Sequence, residues 1–288
     1  MEEQQYILRN QKSFKLKDIF ECGQCFRWNE QEDGSYLGMF KENILNVTQK
    51  DNKIIFRGIC KNNIKETVEE YFDLKRDYEK IKKTLIKTDT YMQKAIKSGE
   101  GIRILNQDLW ETIISFIISA NNNIPRIKKI IEKISEKYGK ELCYNGKKYY
   151  AFPTPEELKD VTISDFRNLG LGFRDVRLYE TTKMIIEKQI DLEKLHLEKD
   201  TQNVREQLLT LAGVGPKVAD CILLFSTLKR FDVFPIDVWV RRVMNELYIH
   251  GIDETKVNKK EIESIAKEKF GDLEGIAQQY LFYWRRGE

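Results

Sequence analysis

The 288-residue chain has little net charge and almost no histidine: 49 lysines and arginines against 46 aspartates and glutamates leave +3, and there are two histidines. A chain so evenly balanced has no bulk attraction for polyanions, so any grip on one must come from where its cations stand. One stretch, residues 121–150, is locally basic, with eight basic side chains against three acidic ones. No apolar run reaches the ~18 residues of a membrane span. The opening Met1-Glu2-Glu3-Gln4-Gln5 has neither the positive charge nor the apolar core of a secretory signal. The expectation is an intracellular protein, in cytoplasm or nucleoid if the cell is prokaryotic, with no membrane partner. The five cysteines (Cys22, Cys25, Cys60, Cys143 and Cys221) are odd in number and scattered, which fits free thiols rather than a disulfide frame. Cys22 and Cys25 form a C-x-x-C, but no second pair or histidine cluster completes a zinc site, so no metal held by side chains is expected. No low-complexity linker or internal repeat divides the chain.

What is present is a change of hydrophobic period. Residues 24–28, 35–40, 44–47 and 53–57 are β-prone runs separated by Asp33-Gly34 and Asp51-Asn52 turns. From Val68, Tyr71, Phe72 and Leu74 onward the spacing becomes helical. Trp110, Ile113, Ile114, Ile117 and Ile118 belong to a segment apolar nearly all round, and Ile127, Ile130, Ile131 and Ile134 mark one face of the next helix. Further helices are expected at 176–188, 203–210, 216–228, 238–249, 259–269 and 273–285. Sheet first and helices afterwards is an α+β layout, divided into an antiparallel β-sheet domain at 1–85 and a helical domain at 86–288.

The chemistry concentrates at Leu211-Ala212-Gly213-Val214-Gly215-Pro216-Lys217-Val218. Two glycines permit a tight hairpin and leave N–H groups uncovered. Pro216 then suits a helix's first turn, whose free N–H groups and dipole attract an anion such as a DNA phosphate. Gly213, Gly215 and Val218 are the candidate phosphate contacts. Lys217 is a candidate nucleophile, provided its proton is lost near neutral pH; an ordinary phosphate-contacting lysine is the plainer alternative. Twenty residues on, Asp237 in Pro235-Ile236-Asp237-Val238 offers a carboxylate at the start of another helix, as cap, catalyst or both.

This arrangement resembles the helix-hairpin-helix DNA glycosylases with the glycine, proline and aspartate signature. Segments 22–28 (Cys-Gly-Gln-Cys-Phe-Arg-Trp), 119–126 (Ser-Ala-Asn-Asn-Asn-Ile-Pro-Arg) and 168–174 (Asn-Leu-Gly-Leu-Gly-Phe-Arg) narrow the resemblance to 8-oxoguanine DNA glycosylase/AP lyase of the eukaryotic-type branch. It implies an N-terminal antiparallel domain followed by two helical subdomains, the hairpin at 204–228, and a lesion pocket in the cleft completed by the C-terminal helix. It further implies base excision by attack of Lys217 on the sugar C1′ with Asp237 assisting, then strand nicking through an iminium. Gly23, Cys221, Gln278 and Phe282 match the lesion pocket, although a turn glycine, a buried thiol and a core-facing stripe are their ordinary readings. Asn121, Arg126 and Arg174 match contacts to the opposite cytosine, and Phe173 the wedge beside them. Asn122 and Asn123 read as turn supports. Trp239 stands where the pattern often has a phosphate-contacting histidine, a contact that the indole N–H either makes or loses. No cofactor is implied beyond a cation on hairpin carbonyls at Leu209, Leu211 and Val214. The tail lacks the cysteine loop that holds an iron–sulfur cluster in some related glycosylases. The implied partner is damaged double-stranded DNA, bound by a monomer. Two alternatives stay open: a glycosylase of this scaffold for alkylated bases, against which Lys217 counts, and a hairpin that only anchors DNA, which leaves Asp237 unexplained.

Overall fold

The chain begins as a five-stranded antiparallel sheet in the order β1-β5-β4-β3-β2. Its strands are β1 (Glu3–Arg9), β2 (Trp28–Glu30), β3 (Tyr36–Phe40), β4 (Asn43–Lys50) and β5 (Lys53–Ile59), with α1 (Leu16–Phe20) between the first two. The structure is a computed structural model and describes residues 2–251, 253 and 257–287. The β4–β5 hairpin closes at Lys50↔Lys53, so its loop is the two residues Asp51-Asn52, with Asp51 at φ +54°. A two-residue loop with a left-handed first position matches the right-handed twist of the strands it joins. Gly38 on β3 is required by packing, since a Cβ there would lie 2.1 Å from Cδ2 of Trp28.

Two expectations at this end need correction. Residues 24–28 do not form a strand; only Trp28 belongs to one. Gln24 is fully buried, and its side chain donates to the carbonyls of Ile19 and Arg103 and accepts from Leu105 N–H. These bonds tie the segment to the chain beyond the sheet rather than to a neighbouring strand. Conversely β1, absent from the sequence reading, pairs with β5 along its whole length from Glu3↔Ile59 to Arg9↔Lys53. Its sequence EQQYILR has no clean alternation, so backbone pairing, not pattern, makes it a strand.

The inner face of the sheet packs on aromatics: Phe20 stacks on Trp28 at 4.1 Å between centroids, Phe40 on Tyr71 at 3.8 Å, and the Trp28 indole donates to Tyr71 Oη. Rings offset or edge-on in this way add to the burial of their large apolar area.

Helices follow: α2 (Ile64–Tyr71), α3 (Tyr78–Leu85), α4 (Thr90–Ser98), α5 (Leu109–Ser119), α6 (Ile124–Tyr138), a β6–β7 hairpin (Glu141–Tyr144, Lys147–Tyr150), α7 (Ile163–Asn168), α8 (Asp175–Ile186), α9 (Leu192–Leu197), α10 (Thr201–Leu209), α11 (Pro216–Phe225), α12 (Val238–Met244), α13 (Lys259–Phe270) and α14 (Glu274–Arg286). They fall into two groups. The apolar α5 packs on α6, α8 and α11, with α7 and α10 behind, while α14 packs on α4, α12 and α13. No described helix is long and apolar enough to cross a membrane. Much of the basic stretch is spent on structure: Lys137, Lys140 and Lys148 pair with Asp165, Glu42 and Glu141, and Lys128 donates to Trp28 O.

Lys229 ties the loop after α11 back to the N-terminal part. Its buried ammonium donates to Ile104 O and stands 3.5 Å from Asp73 Oδ2. Burial pushes Lys229 down to about 7, although Asp73 favours its charged form. An unfolded lysine keeps its proton to about pH 10.4, so between about 7 and 10 the unfolded chain binds more protons and stability rises with pH. Below that window the full penalty of a buried charge is present. Lys229→Met should therefore flatten the gain in unfolding free energy between pH 6 and pH 9 by roughly 2 kcal/mol. Denaturant titrations at the two pH values check this, and an unchanged slope contradicts it.

Candidate active site

Gly213 has φ +83°, and a Cβ there would press on Arg177 Cδ at 2.9 Å, so the hairpin needs glycine at this point. Gly215 faces open space, caps α11 without a side chain, and is followed by Pro216 at the first helical position. The first-turn N–H groups at Lys217 and Val218 have no helical acceptor and are open to an anion. Lys217 and Cys221 lie one turn apart on α11. Asp237 caps α12, its Oδ1 accepting from Val240 N–H at 2.7 Å. Gln278 and Phe282 come from α14, and Gly23 from the turn after α1. All six line one cavity of about 50 Å³.

Burial works against the Lys217 ammonium, but Cys221 and Asp237 favour it, and Lys217 stands above the ordinary lysine value. Burial pushes the Cys221 thiol up to about 11, although Lys217 draws it down. At neutral pH that sulfur is therefore a neutral thiol, and the counter-charge left to Lys217 is Asp237. The Lys217 Nζ also sits 5.3 Å from the Phe116 ring centroid, an arrangement that favours the cation. Cys22 and Cys25 are inert: both are buried, which pushes the Cys22 thiol up to about 12 and the Cys25 thiol higher still.

Gly23 adopts φ +86°, and its carbonyl accepts no hydrogen bond from any described residue. A Cβ there would sit 3.5 Å from Phe282 Cε1. Gln278 is buried, yet its Oε1 has no partner among the described residues. A buried amide oxygen left unpaired costs about 1–3 kcal/mol, which a ligand donor in the cavity would recover.

A second cluster gathers on the α5–α6 turn. Asn121 is at φ +52°, Asn122 donates to Ile118 O, and Asn123 caps α6 by accepting from Arg126 N–H. Arg126 donates to Gly170 O, which joins this turn to segment 170–174. Phe173 is 56% exposed. The structure gives Arg174 a different task from the one expected: it is 2% exposed and donates to the carbonyls of Ala120, Asn121 and Leu171. Its guanidinium fastens the two segments together, and its ring neighbour Phe173 lies 4.2 Å away over that group. Trp239 is 38% exposed beside the bare Val238, and its indole N–H has no partner among the described residues.

Comparison with known proteins decides the family. Residues 6–113 match the 8-oxoguanine DNA glycosylase N-terminal domain, and residues 114–271 match the HhH-GPD superfamily base excision DNA repair proteins. The crystal structure of Clostridium acetobutylicum 8-oxoguanine glycosylase/lyase with dsDNA containing cytosine opposite 8-oxoG superposes with a TM-score of 0.92, at 46% identity over 99% of this chain and 97% of that one. The chain belongs to the 8-oxoguanine DNA glycosylase family. Among family members in the helix-hairpin-helix superfamily, an N-glycosylase/DNA lyase of Saccharomyces cerevisiae is 32% identical over 83% of this chain and 69% of its own. A probable N-glycosylase/DNA lyase of Methanothermobacter thermautotrophicus is 32% identical over 76% and 74%.

For a glycosylase of this family the sequence reading omitted two kinds of residue. Phe116 lies under Lys217 and stacks on Phe225, yet in an all-apolar helix nothing sets it apart from its neighbours. Gln24, Gln107 and Gln279 hold the Gly23 turn by bonds from distant parts of the chain, a pattern that no local motif encodes. Among the described residues no group of three or more His, Cys, Asp or Glu comes together as a metal site.

Proposed function

We propose that this protein is a bifunctional DNA glycosylase and abasic-site lyase that removes 8-oxoguanine from duplex DNA, with cytosine preferred opposite the lesion. The observation that carries the reading is one pocket holding the Lys217 amine and the Asp237 carboxylate together with the open carbonyl of Gly23 and the open amide of Gln278. A stacked base is out of reach, so the target nucleotide turns out of the helix into this pocket. The Lys217 ammonium gives a proton to the leaving base, and its freed lone pair bonds to C1′ as the C1′–N9 bond breaks and that bond's electron pair departs with the base. Asp237 faces the positive charge developing on the sugar. As the C1′–O4′ bond opens, O4′ takes a proton from the attached amine and an iminium forms; the released base accepts a C2′ proton as the 3′ phosphate is expelled, and water hydrolyses the iminium to return the free amine. The names and DNA complex of the relatives support both activities. An anchoring module would need neither Lys217 nor Asp237 in the pocket.

Gly23 O is the proposed acceptor for the N7–H that 8-oxoguanine carries and guanine lacks, with Phe282 stacking on the base and Gln278 meeting its pairing edge. Asn121, Arg126 and Phe173 form the proposed opposite-strand surface, braced from within by Arg174, and the hairpin N–H groups with Trp239 the phosphate contacts. Among the described residues the carbonyls of Leu209 and Val214 accept no hydrogen bond, whereas that of Leu211 takes Val214 N–H. This donor set fits a weakly held hard cation that adds charge against a phosphate. One chain supplies every group, which is compatible with action as a monomer.

Gly23→Ala tests the discrimination. Its methyl group enters the gap against Phe282 and strains a left-handed residue by about 1 kcal/mol. Release of 8-oxoguanine should fall far more than affinity for undamaged duplex, whose salt dependence reports phosphate contacts. Measuring both on the same variant decides it, and an equal loss in the two returns Gly23 to an ordinary turn residue.

A further inference from the structure

Three successive carbonyls run through the Gly23 turn, and they are treated differently. Cys22 O accepts from Gln279 Nε2 at 2.6 Å, and Gln24 O accepts from Gln107 Nε2 at 2.7 Å. The carbonyl between them, Gly23 O, accepts nothing from any described residue. Gln279 is 1% exposed, and Gln107 also reaches Phe225 O at 3.1 Å, so both amides are anchored from outside the turn. Adjacent residues on α14 thus have opposite fates: the Gln278 oxygen is left open, while the Gln279 amide is committed to backbone.

The arrangement answers a problem created by glycine itself. With no Cβ, Gly23 is unusually free in φ and ψ alike, so rotation about its own Cα–C bond is cheap. Such a rotation replaces the Gly23 oxygen, an acceptor, by the Gln24 N–H, a donor. A donor there would reward the bare N7 of guanine and repel the N7–H of the lesion, which inverts the preference. Rotation about the Gly23 bonds swings the chain on one side of it relative to the other, so holding the peptide groups on both sides blocks it.

We propose that Gln279 and Gln107 are positioning residues for lesion discrimination, whose amides pin the peptides flanking Gly23 so that its oxygen alone is presented to the base. The inference rests on the reading of Gly23 as the discriminating acceptor. The Gln24 side chain also donates to the Cys22 sulfur at 3.3 Å, which ties the residues on either side of Gly23 to each other.

The test uses Gln279→Met and, separately, Gln107→Met, each close in length to glutamine and without a donor. Single-turnover release of 8-oxoguanine opposite cytosine is compared with nicking of a preformed abasic site, which presents no base to the turn. Each variant is expected to release 8-oxoguanine about tenfold more slowly or worse, with nicking within about twofold of the parent. A merely structural role lowers both rates together, and that result, or an unchanged ratio, overturns the proposal. Should Gln279→Met fail to fold, Gln107→Met, on the opposite side of the turn, carries the same expectation. A parent protein that nicks abasic sites but releases no 8-oxoguanine would instead overturn the reading of Gly23 beneath it.

Discussion

Lys217→Gln should lower both base release and strand nicking at least about 10⁴-fold, because the step that breaks the C1′–N9 bond loses its nucleophile. Binding of lesion duplex should change little. The phosphate contacts proposed for the hairpin are backbone N–H groups at Gly213, Gly215 and Val218, and glutamine leaves that backbone intact. Glutamine forfeits the attraction by which Asp237 holds the Lys217 charge, but it keeps the apolar stem at this half-buried position, so the variant should fold with only a modest loss of stability. Equilibrium binding and single-turnover assays on one preparation separate the two effects. Residual release above the expected level would mean that water, not an amine, opens the bond.

Asp237→Asn should be the next most damaging change, slowing base release by about 10²–10³-fold with duplex affinity preserved. The structure makes this a clean substitution. The Asp237 Oδ1 accepts from Val240 N–H, and the carbonyl oxygen of asparagine can accept that bond equally well, so the cap on α12 survives. What is lost is the negative charge facing the sugar. Thermal unfolding should stay within a few degrees of the parent, while excision falls. If the rate dropped only by the few-fold expected from a weakened cap of ~1 kcal/mol, Asp237 would be a structural aspartate.

How far the sequence carried this reading depends on the length scale of each feature. The hairpin, Lys217 and Asp237 were legible because glycine, proline and an N-cap act within a few residues of themselves. Helices α8 and α10 to α14 were legible because their apolar spacing is regular, whereas the short α9 was not, and neither was β1, since a strand held by backbone pairing with β5 needs no alternating pattern. Segment 24–28 misled for the converse reason: its aromatic and cysteine content reads as β-prone, but the buried Gln24 amide draws it out of the sheet and toward Arg103 and Leu105. Arg174 shows a further limit. A sequence assigns it a charge, and only three-dimensional packing reveals that this charge is spent on the carbonyls of the Asn121 turn. The same holds for Gln279, whose partner Cys22 lies 257 residues away.

The central claim is that the amine of Lys217 becomes covalently bonded to the sugar, and reductive trapping reads it most directly. The protein is incubated with duplex containing 8-oxoguanine opposite cytosine in the presence of borohydride, and the adduct is mapped by mass spectrometry of its peptides. The account predicts a single protein–DNA adduct located on Lys217 and absent from Lys217→Gln. Base release without any adduct, or an adduct that persists in Lys217→Gln, would contradict it.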